Sequence, residues 1–141
     1  MTFRLTVDSW DAQRAGAQEV RYEVFVLEQE IPLNLEWDEM DAVCWHAVAY
    51  DAEQRPIGTG RLLPDGHIGS LAVKKAGRGG GIGAAILTAL VQQAQRRGDR
   101  CVMLNAQTQA EPFYARYGFV RDGGVFIEAG IPHIHMRRML E

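Results

Sequence analysis

The sequence predicts an α+β fold in which a mixed β-sheet and its flanking helices form one domain over residues 1–141. Three observations carry this prediction. The strand and helix patterns follow the order β-α-β-β-β-α-β-α-β. A glycine cluster at a strand-to-helix junction implies a β-α-β crossover. No linker, repeat or composition break divides the 141 residues, 47% of which are hydrophobic, so one ordinary core is expected.

The first elements are a strand and a long helix. Residues 3–7 alternate apolar and polar side chains of β-favouring types, which is typical of a strand. Asp8 and Ser9 then offer N-cap oxygens to a helix predicted over residues 10–29. Pro32 ends this helix, whose apolar positions recur at helical spacing: Val20, Val24 and Leu27.

An acidic segment separates this helix from three strands. Residues 28–41 hold six carboxylates and no basic residue, and Pro32 and Asn34 interrupt them, so we predict a loop with a short helical turn. The turn signal Pro64-Asp65-Gly66 separates the last two of the strands that follow. These strands are predicted over residues 44–50, 57–63 and 67–73.

The second half begins with the glycine cluster, which opens a helix closed by Gly98. The apolar stripe of this helix is Ile82, Ile86, Leu90 and Ala94. An apolar strand follows over residues 101–104, and Thr108 and Glu111 have the spacing of a capping box for a short helix over residues 109–117. The remaining strand-like segments are residues 119–120, 124–128 and 133–139.

Charge is unevenly distributed along the chain. Residues 1–65 carry 13 acidic and 5 basic side chains, whereas residues 66–141 carry 5 acidic and 10 basic ones. A local basic excess around the glycine cluster suits a small polyanionic ligand. Because the chain is acidic overall and its bases are not interleaved with aromatics, nucleic-acid binding is disfavoured. The basic residues concerned are Lys74, Lys75, Arg78, Arg96, Arg97 and Arg100.

Several other classes are excluded by composition. No stretch approaches the roughly 20 apolar residues of a membrane span, and the first 20 residues lack the pattern of a signal peptide, so we expect no membrane partner and a cytoplasmic protein. Cys44 and Cys101 lie in apolar runs, which predicts buried reduced thiols. His133 and His135 share a strand face, but no third ligand has a recognisable spacing, so we predict no metal.

The glycine cluster is the strongest candidate for a binding site. Gly79, Gly80, Gly81 and Gly83 allow consecutive amides to point outward at a helix N-terminus, where a phosphate or diphosphate is stabilised. A loop that only permits tight packing is the alternative. The Lys-Ser/Thr ending of a P-loop is missing, and Asn105 stands where a dinucleotide site would carry an acid.

The motifs along residues 67–119 resemble those of the GCN5-related N-acetyltransferase (GNAT) family. They are Leu71-Ala72-Val73, then Arg78-x-x-Gly81-x-Gly83-Ala84, then Asn105-Ala106-Gln107 leading to Phe113-Tyr114-Ala115-Arg116-Tyr117-Gly118-Phe119. The resemblance implies a sheet with a splayed strand pair and acetyl-CoA as co-substrate. The residues it implies at the coenzyme are Leu71, Ala72, Val73, Arg78, Gly79, Gly80, Gly81, Ile82, Gly83, Ala84, Asn105, Phe113 and Tyr114.

The resemblance also implies roles in catalysis. The diphosphate would lie on the amides of residues 79–84, and the Val73 amide would donate to the thioester carbonyl. Tyr114 matches the family tyrosine beside the coenzyme sulfur, where it would stabilise the departing thiolate. His67 stands where many members carry a glutamate base, although an exposed histidine at a strand start is the simpler interpretation.

The acidic segment is expected to border the acceptor side of the site. Its carboxylates would attract a cationic amine or act as a base through water, and we name Glu28, Glu30 and Asp38, with His133 as a further substrate-binding residue. The predicted function is N-acetylation of a primary amine on a small molecule, without a covalent enzyme intermediate. A second copy of the chain is a possible partner. The alternatives are a non-catalytic acyl-CoA-binding sensor or subunit and, more remotely, a zinc hydrolase.

Overall fold

The computed structural model describes residues 2–36 and 38–140 and gives seven strands within them. The strands are β1 (Phe3–Asp8), β2 (Trp45–Asp51), β3 (Pro56–Leu62), β4 (Ile68–Val73), β5 (Cys101–Gln107), β6 (Val120–Glu128) and β7 (Ile131–Met139). The α-helices are α1 (Trp10–Arg21), α2 (Leu33–Glu36), α3 (Ile82–Arg97) and α4 (Glu111–Ala115). A π-helix covers Tyr22–Glu28, and short 3₁₀ turns cover Glu39–Val43, Lys75–Gly77 and Thr108–Ala110.

The strands form two antiparallel sheets that meet at one point. The first has the order β1-β2-β3-β4 and the second has the order β5-β7-β6. Among the described residues a single parallel bridge joins them, between His67 and Met103. Strands β4 and β5 run parallel from this bridge and then diverge, so the mixed sheet and the α+β class are confirmed. The predicted element order is correct as far as α4, after which two strands follow instead of one.

Helix α3 packs closely on one face of the first sheet. The predicted stripe is confirmed, since Ile82, Ile86, Leu90 and Ala94 are all buried. Gly58 allows this close approach, because a Cβ there would lie 2.8 Å from Ile86 Cδ1. Burying each large aliphatic side chain contributes about 1.5–3 kcal/mol, so this contact fixes α3 and the loop before it.

The opposite face is covered by α1 and the π-helix, where the sequence predicted one continuous α-helix to residue 29. Val20 and Val24 are buried against Ala72, as their spacing predicted. The helix then widens, because the Gln29 amide donates to Val24 O at 3.0 Å, five residues back. Because the helical period changes here, Leu27 does not lie on the buried face as predicted, and its side chain is 61% exposed.

Three further local predictions are wrong. No side chain caps α4, because the Glu111 carboxylate is bound by the Arg121 guanidinium at 2.7 and 2.9 Å instead of completing a capping box with Thr108. The separate strand segments near residue 120 are one strand, β6, with a bulge where Gly123 takes a φ of 103°. Strand β5 also continues three residues beyond its predicted end at residue 104, because Gln107 still pairs with β7.

The two cysteines are free thiols, but only one of them is buried. Cys44 is 5% exposed and its thiol donates to Met40 O at 3.0 Å. Cys101 is only partly buried, so the prediction of two buried thiols is wrong for it. Within residues 2–36 and 38–140, no helix has the length and apolar character needed to cross a membrane.

Candidate active site

The divergence of β4 and β5 leaves two strand edges facing each other across a wedge. Strand β4 is the last strand of the first sheet, and β5 is the first strand of the second. The Lys74 amide donates to Ile57 O at 2.9 Å. Because backbone groups alternate in direction along an antiparallel ladder, the amide of the preceding residue, Val73, faces away from β3 and into the wedge.

A bulge interrupts β4 beside the widest part of the wedge. The register with β3 shifts between Thr59 and Arg61, and Ser70 has a φ of 50°. A non-glycine residue in this left-handed region is uncommon and stores strain of the order of 1–3 kcal/mol. The bulge lies where the strand begins to line a cavity.

The glycine loop opens onto solvent at the start of α3. Gly79 and Gly81 have φ values of 84° and 81°, and a Cβ on either would meet no described atom within 4 Å. The Ala85 amide makes a 3.0 Å bond to Gly81 O at the start of the helix. The amides of residues 82–84 precede it, and such first amides have no partner within a helix. Together with the helix dipole, they form a site suited to a phosphate.

Arg78 beside this loop is fully engaged. Its Nη1 and Nη2 donate to the Glu28 carboxylate at 2.9 and 2.7 Å, and its Nε donates to Val73 O at 2.9 Å. Hydrogen bonding by Arg78 lowers the pKa of Glu28, and Glu28 in turn raises the pKa of the Arg78 guanidinium. The pair ties the π-helix to the glycine loop.

The prediction that six basic residues surround the glycine loop is wrong in part. Arg96 and Arg97 lie in the last turn of α3, about 20 Å from its start at roughly 1.5 Å per residue, and Arg100 follows the helix. Arg97 binds Asp99 there, and near the loop Lys74 is paired with Glu19. The basic residues of residues 74–100 are thus divided between the two ends of α3, and only those at its start lie near the loop.

A cavity of about 500 Å³ fills the wedge between the π-helix, β4 and β5. Of the residues predicted for the site, the wall includes Asp38, His67, Leu71, Asn105, Tyr114 and His133. Glu28 and Glu30 do not line it, since Glu28 is held by Arg78. Ala72, Val73 and the glycine loop lie beyond the wall, and Phe113 approaches the loop, 3.8 Å from where a Cβ on Gly83 would be.

Tyr114 lies in the cavity wall at one end of an aromatic cluster. Its ring meets those of Phe113 and Phe119 edge to face, with centroids 5.1 and 6.0 Å apart. Burial raises the pKa of the Tyr114 phenol to about 12. The phenol therefore keeps its proton throughout the neutral and mildly alkaline range.

His67 lies at the point where the two sheets meet. Its Nδ1 is 3.0 Å from Asp65 Oδ2, and its backbone amide donates to Asp65 Oδ1 at 3.0 Å. The side chain is 39% exposed and borders the cavity. With Nδ1 bound to a carboxylate, the neutral imidazole has its lone pair on Nε2, which is the arrangement of an oriented base.

The β6–β7 hairpin contributes a second histidine. His133 is 7% exposed, and its Nδ1 lies 2.6 Å from Ile131 O. Its Nε2 lies 3.7 Å from Glu128 Oε2, and Asn105 Nδ2 approaches the other oxygen of Glu128 at 3.4 Å. His135, two residues on, binds Asn105 Oδ1 at 2.9 Å instead of turning to a shared ligand. The described residues contain no group of three or more side chains suited to a metal ion.

Asp38 enters the wall at the exposed end of an ion network whose inner members, Asp41 and Arg21, are buried. The Arg61 guanidinium donates to Asp38 at 2.7 and 2.8 Å and to Asp41 at 2.8 Å. Asp41 is also 2.9 Å from Arg21, which is almost fully buried. Hydrogen bonding by Arg61 lowers the pKa of Asp38. The side chain of Glu36, counted among the six carboxylates of the acidic segment, lies outside the described residues.

Sequence reasoning missed several wall residues. Gln29 and Gln107 are joined by a 3.0 Å hydrogen bond across the wedge, and no local pattern indicates such a long-range contact. Glu128 belongs to none of the motifs from which the site was predicted. Asp65 was read as a turn residue, although its position two residues before a histidine is a signal that could have identified the pair.

Comparison with known proteins places the whole arrangement in context. The family model for an acetyltransferase (GNAT) domain matches residues 12–140. YjcF of Bacillus subtilis, described as an uncharacterised N-acetyltransferase, is 41% identical over 132 residues, covering 91% of this chain and 94% of the relative. The crystal structure of an acyl-CoA N-acyltransferase from Pseudomonas aeruginosa superposes with a TM-score of 0.86 at 33% identity, covering 97% and 99% of the two chains. Escherichia coli ElaA gives a TM-score of 0.86 at 25% identity over the same shares.

Proposed function

The chain belongs to the GNAT acetyltransferase family, and from this premise we propose that it transfers acetyl from acetyl-CoA directly to a primary amine of a small molecule. The single observation that carries this proposal is the wedge. Two strand edges face each other between the glycine loop and a cavity whose wall contains a tyrosine and a carboxylate-bound histidine.

Three features of the wedge would suit successive parts of an acetyl-CoA molecule. The amides of residues 82–84 would hold the diphosphate, because no side chain stands in front of Gly79 and Gly81 in the described structure. The free edge of β4 would bond the amide groups of the pantetheine arm, as a further strand would. The Val73 amide would stabilise negative charge on the thioester oxygen, an interaction commonly worth about 3 kcal/mol per donor.

His67 would remove the proton from the attacking amine. At pH 7 less than about one in a thousand molecules of an alkylamine with a pKa near 10.4 is unprotonated, so the reaction needs a proton acceptor. Asp65 keeps the lone pair of neutral His67 on Nε2 and stabilises the imidazolium that forms. The cavity wall supports this role because His67 borders it at the junction of the two sheets.

Tyr114 would stabilise the departing thiolate by donating its phenolic hydrogen to the sulfur. The raised pKa of about 12 keeps the hydrogen on Tyr114 during turnover, so hydrogen bonding describes the role better than full proton transfer. Neither cysteine lines the cavity, and burial raises the pKa of Cys44 to about 11. These observations favour direct transfer over an acyl-cysteine route.

Thiol release on mixing the protein with acetyl-CoA and a panel of amines tests the proposal. We expect Tyr114→Phe to lower kcat at least tenfold with little change in the Kd for CoA, measured by calorimetry. Tyr117→Phe is the matched control, since Tyr117 packs in the same aromatic cluster without lining the cavity. Equal rates for the two variants would remove Tyr114 from the mechanism. CoA binding without thiol release from any amine would instead support the non-catalytic sensor.

A further inference from the structure

The charged side chains of the cavity wall are the starting point for defining the acceptor. Within the described residues the wall contains only Asp38, Arg61 and Glu128 as formally charged groups. Arg61 Nη1 and Nη2 donate to the Asp38 and Asp41 carboxylates. Its Nε has no hydrogen-bond partner, but that atom is buried and so out of reach of a ligand in the cavity. The described wall therefore offers no available cation to an anionic group.

Glu128 is the carboxylate of this wall that no cation neutralises. Its side chain is 52% exposed, and among the described residues its ion-pair and hydrogen-bond partners are His133 Nε2 at 3.7 Å and Asn105 Nδ2 at 3.4 Å. Both distances are long for a hydrogen bond. A carboxylate with only weak partners in a cavity wall has unused capacity to accept hydrogen bonds.

The neighbouring histidine presents a second acceptor. The carbonyl oxygen of Ile131 can only accept, so the 2.6 Å contact assigns the hydrogen of neutral His133 to Nδ1. Its Nε2 then carries a lone pair toward Glu128. Two acceptors 3.7 Å apart without a hydrogen between them match a group with several N–H donors, and a primary ammonium has three.

We propose that Glu128 and His133 Nε2 bind the ammonium group of the acceptor, and that the cavity selects amines that carry no carboxylate or phosphate. This inference rests on the proposed function, because the amine is the second substrate of that reaction. An amine with an acidic group would bring its negative charge beside Glu128 and would find no available cation. The cavity would therefore favour amines without an acidic group, because an acidic group is repelled by Glu128 and has no cation to pair with.

Matched amines that differ by one carboxylate test the proposal directly. Cadaverine is compared with lysine and tyramine with tyrosine, by calorimetric titration into the protein saturated with desulfo-CoA, which cannot donate an acyl group. We expect the carboxylate-free member of each pair to bind at least tenfold more tightly. We also expect Glu128→Gln to weaken cadaverine binding at least fivefold and Glu128→Asp to restore part of the affinity. Glu53→Gln is the control, because it removes the same single negative charge from an exposed turn.

The outcomes separate this inference from the proposed function. Equal affinity within each pair, or cadaverine affinity unchanged by Glu128→Gln, would overturn the inference even if acetyl transfer is observed. Discrimination within the pairs, abolished by Glu128→Gln, would support it even if no thiol is released with acetyl-CoA. Thermal melting of each variant checks that the fold is intact, and Glu128→Asp provides a second test if Glu128→Gln is unstable.

Discussion

Replacing Glu28 by glutamine should tighten the binding of CoA. Arg78 is bound to Glu28 by two hydrogen bonds of 2.7 and 2.9 Å, so the N–H groups that make these bonds are not free for a diphosphate on the adjoining loop. Because Arg78 lowers the pKa of Glu28, this pair is intact at neutral pH. If Arg78 binds the diphosphate through these groups, coenzyme binding breaks the pair, and the variant removes that cost.

The size of the effect follows from the exposure of the pair. The Arg78 and Glu28 side chains are 42% and 29% exposed, so the pair belongs to the partly exposed class worth at most about 1 kcal/mol. At about 1.4 kcal/mol per tenfold change, its loss corresponds to a Kd for CoA that is roughly two- to fivefold lower. The gain should shrink as salt screens the charges.

Calorimetric titration of CoA into the wild-type protein and Glu28→Gln measures this difference. Glu53→Gln is the matched control, because it removes the same charge from an exposed pair with Arg55 in the turn between β2 and β3. In a double-mutant cycle, Glu28→Gln should give no gain once Arg78 is alanine. An unchanged or higher Kd in the single variant would refute the reasoning, because Arg78 would then remain on Glu28 in the complex.

The other predictions concern stability and reactivity. Asp41→Ala leaves two buried guanidinium groups without their shared partner and should cost about 3–5 kcal/mol in urea unfolding, whereas Asp122→Ala in an exposed pair should change stability by less than about 0.5 kcal/mol. Similar losses of stability in the two variants would contradict the stabilising role of the Asp41 network. Gly81→Ala, at a φ of 81°, should destabilise by about 1–2 kcal/mol, and an unchanged melting temperature would argue against that conformation. Iodoacetamide at pH 8 should modify Cys101 before Cys44, whose pKa is about 11, and mass spectrometry showing the reverse order would exclude this assignment.

Much of the fold could be predicted because its signals are local. The stripe from Ile82 to Ala94 repeats at helical spacing, and a helix with one apolar face must bury that face. The glycines before it require backbone conformations that other residues avoid, so the loop was identifiable from composition. The placement of Tyr114 and His67 in one cavity was expected from the family motifs on both strands of the wedge.

The parts of the fold and site that could not be predicted depend on contacts between residues far apart in sequence, which local spacing does not encode. The π-helix arises where the chain leaves the apolar stripe at Val24, and one extra residue per turn redirects Gln29 to Gln107, far away in sequence. Glu28 was expected at the acceptor and is instead bound by Arg78, 50 residues later. Ion-pair choices of this kind depend on tertiary distances, because any carboxylate of the acidic segment could satisfy the same arginine.

The bridge between His67 and Met103 has a mechanical consequence. The two sheets touch there and separate beyond it, so the spacing of β4 and β5 is fixed at the bridge and increases away from it. A displacement of the strands at Leu71, such as a longer acyl chain would require, would leave the imidazole at the bridge in place. The proposed proton acceptor would then keep its position with acyl donors of different length.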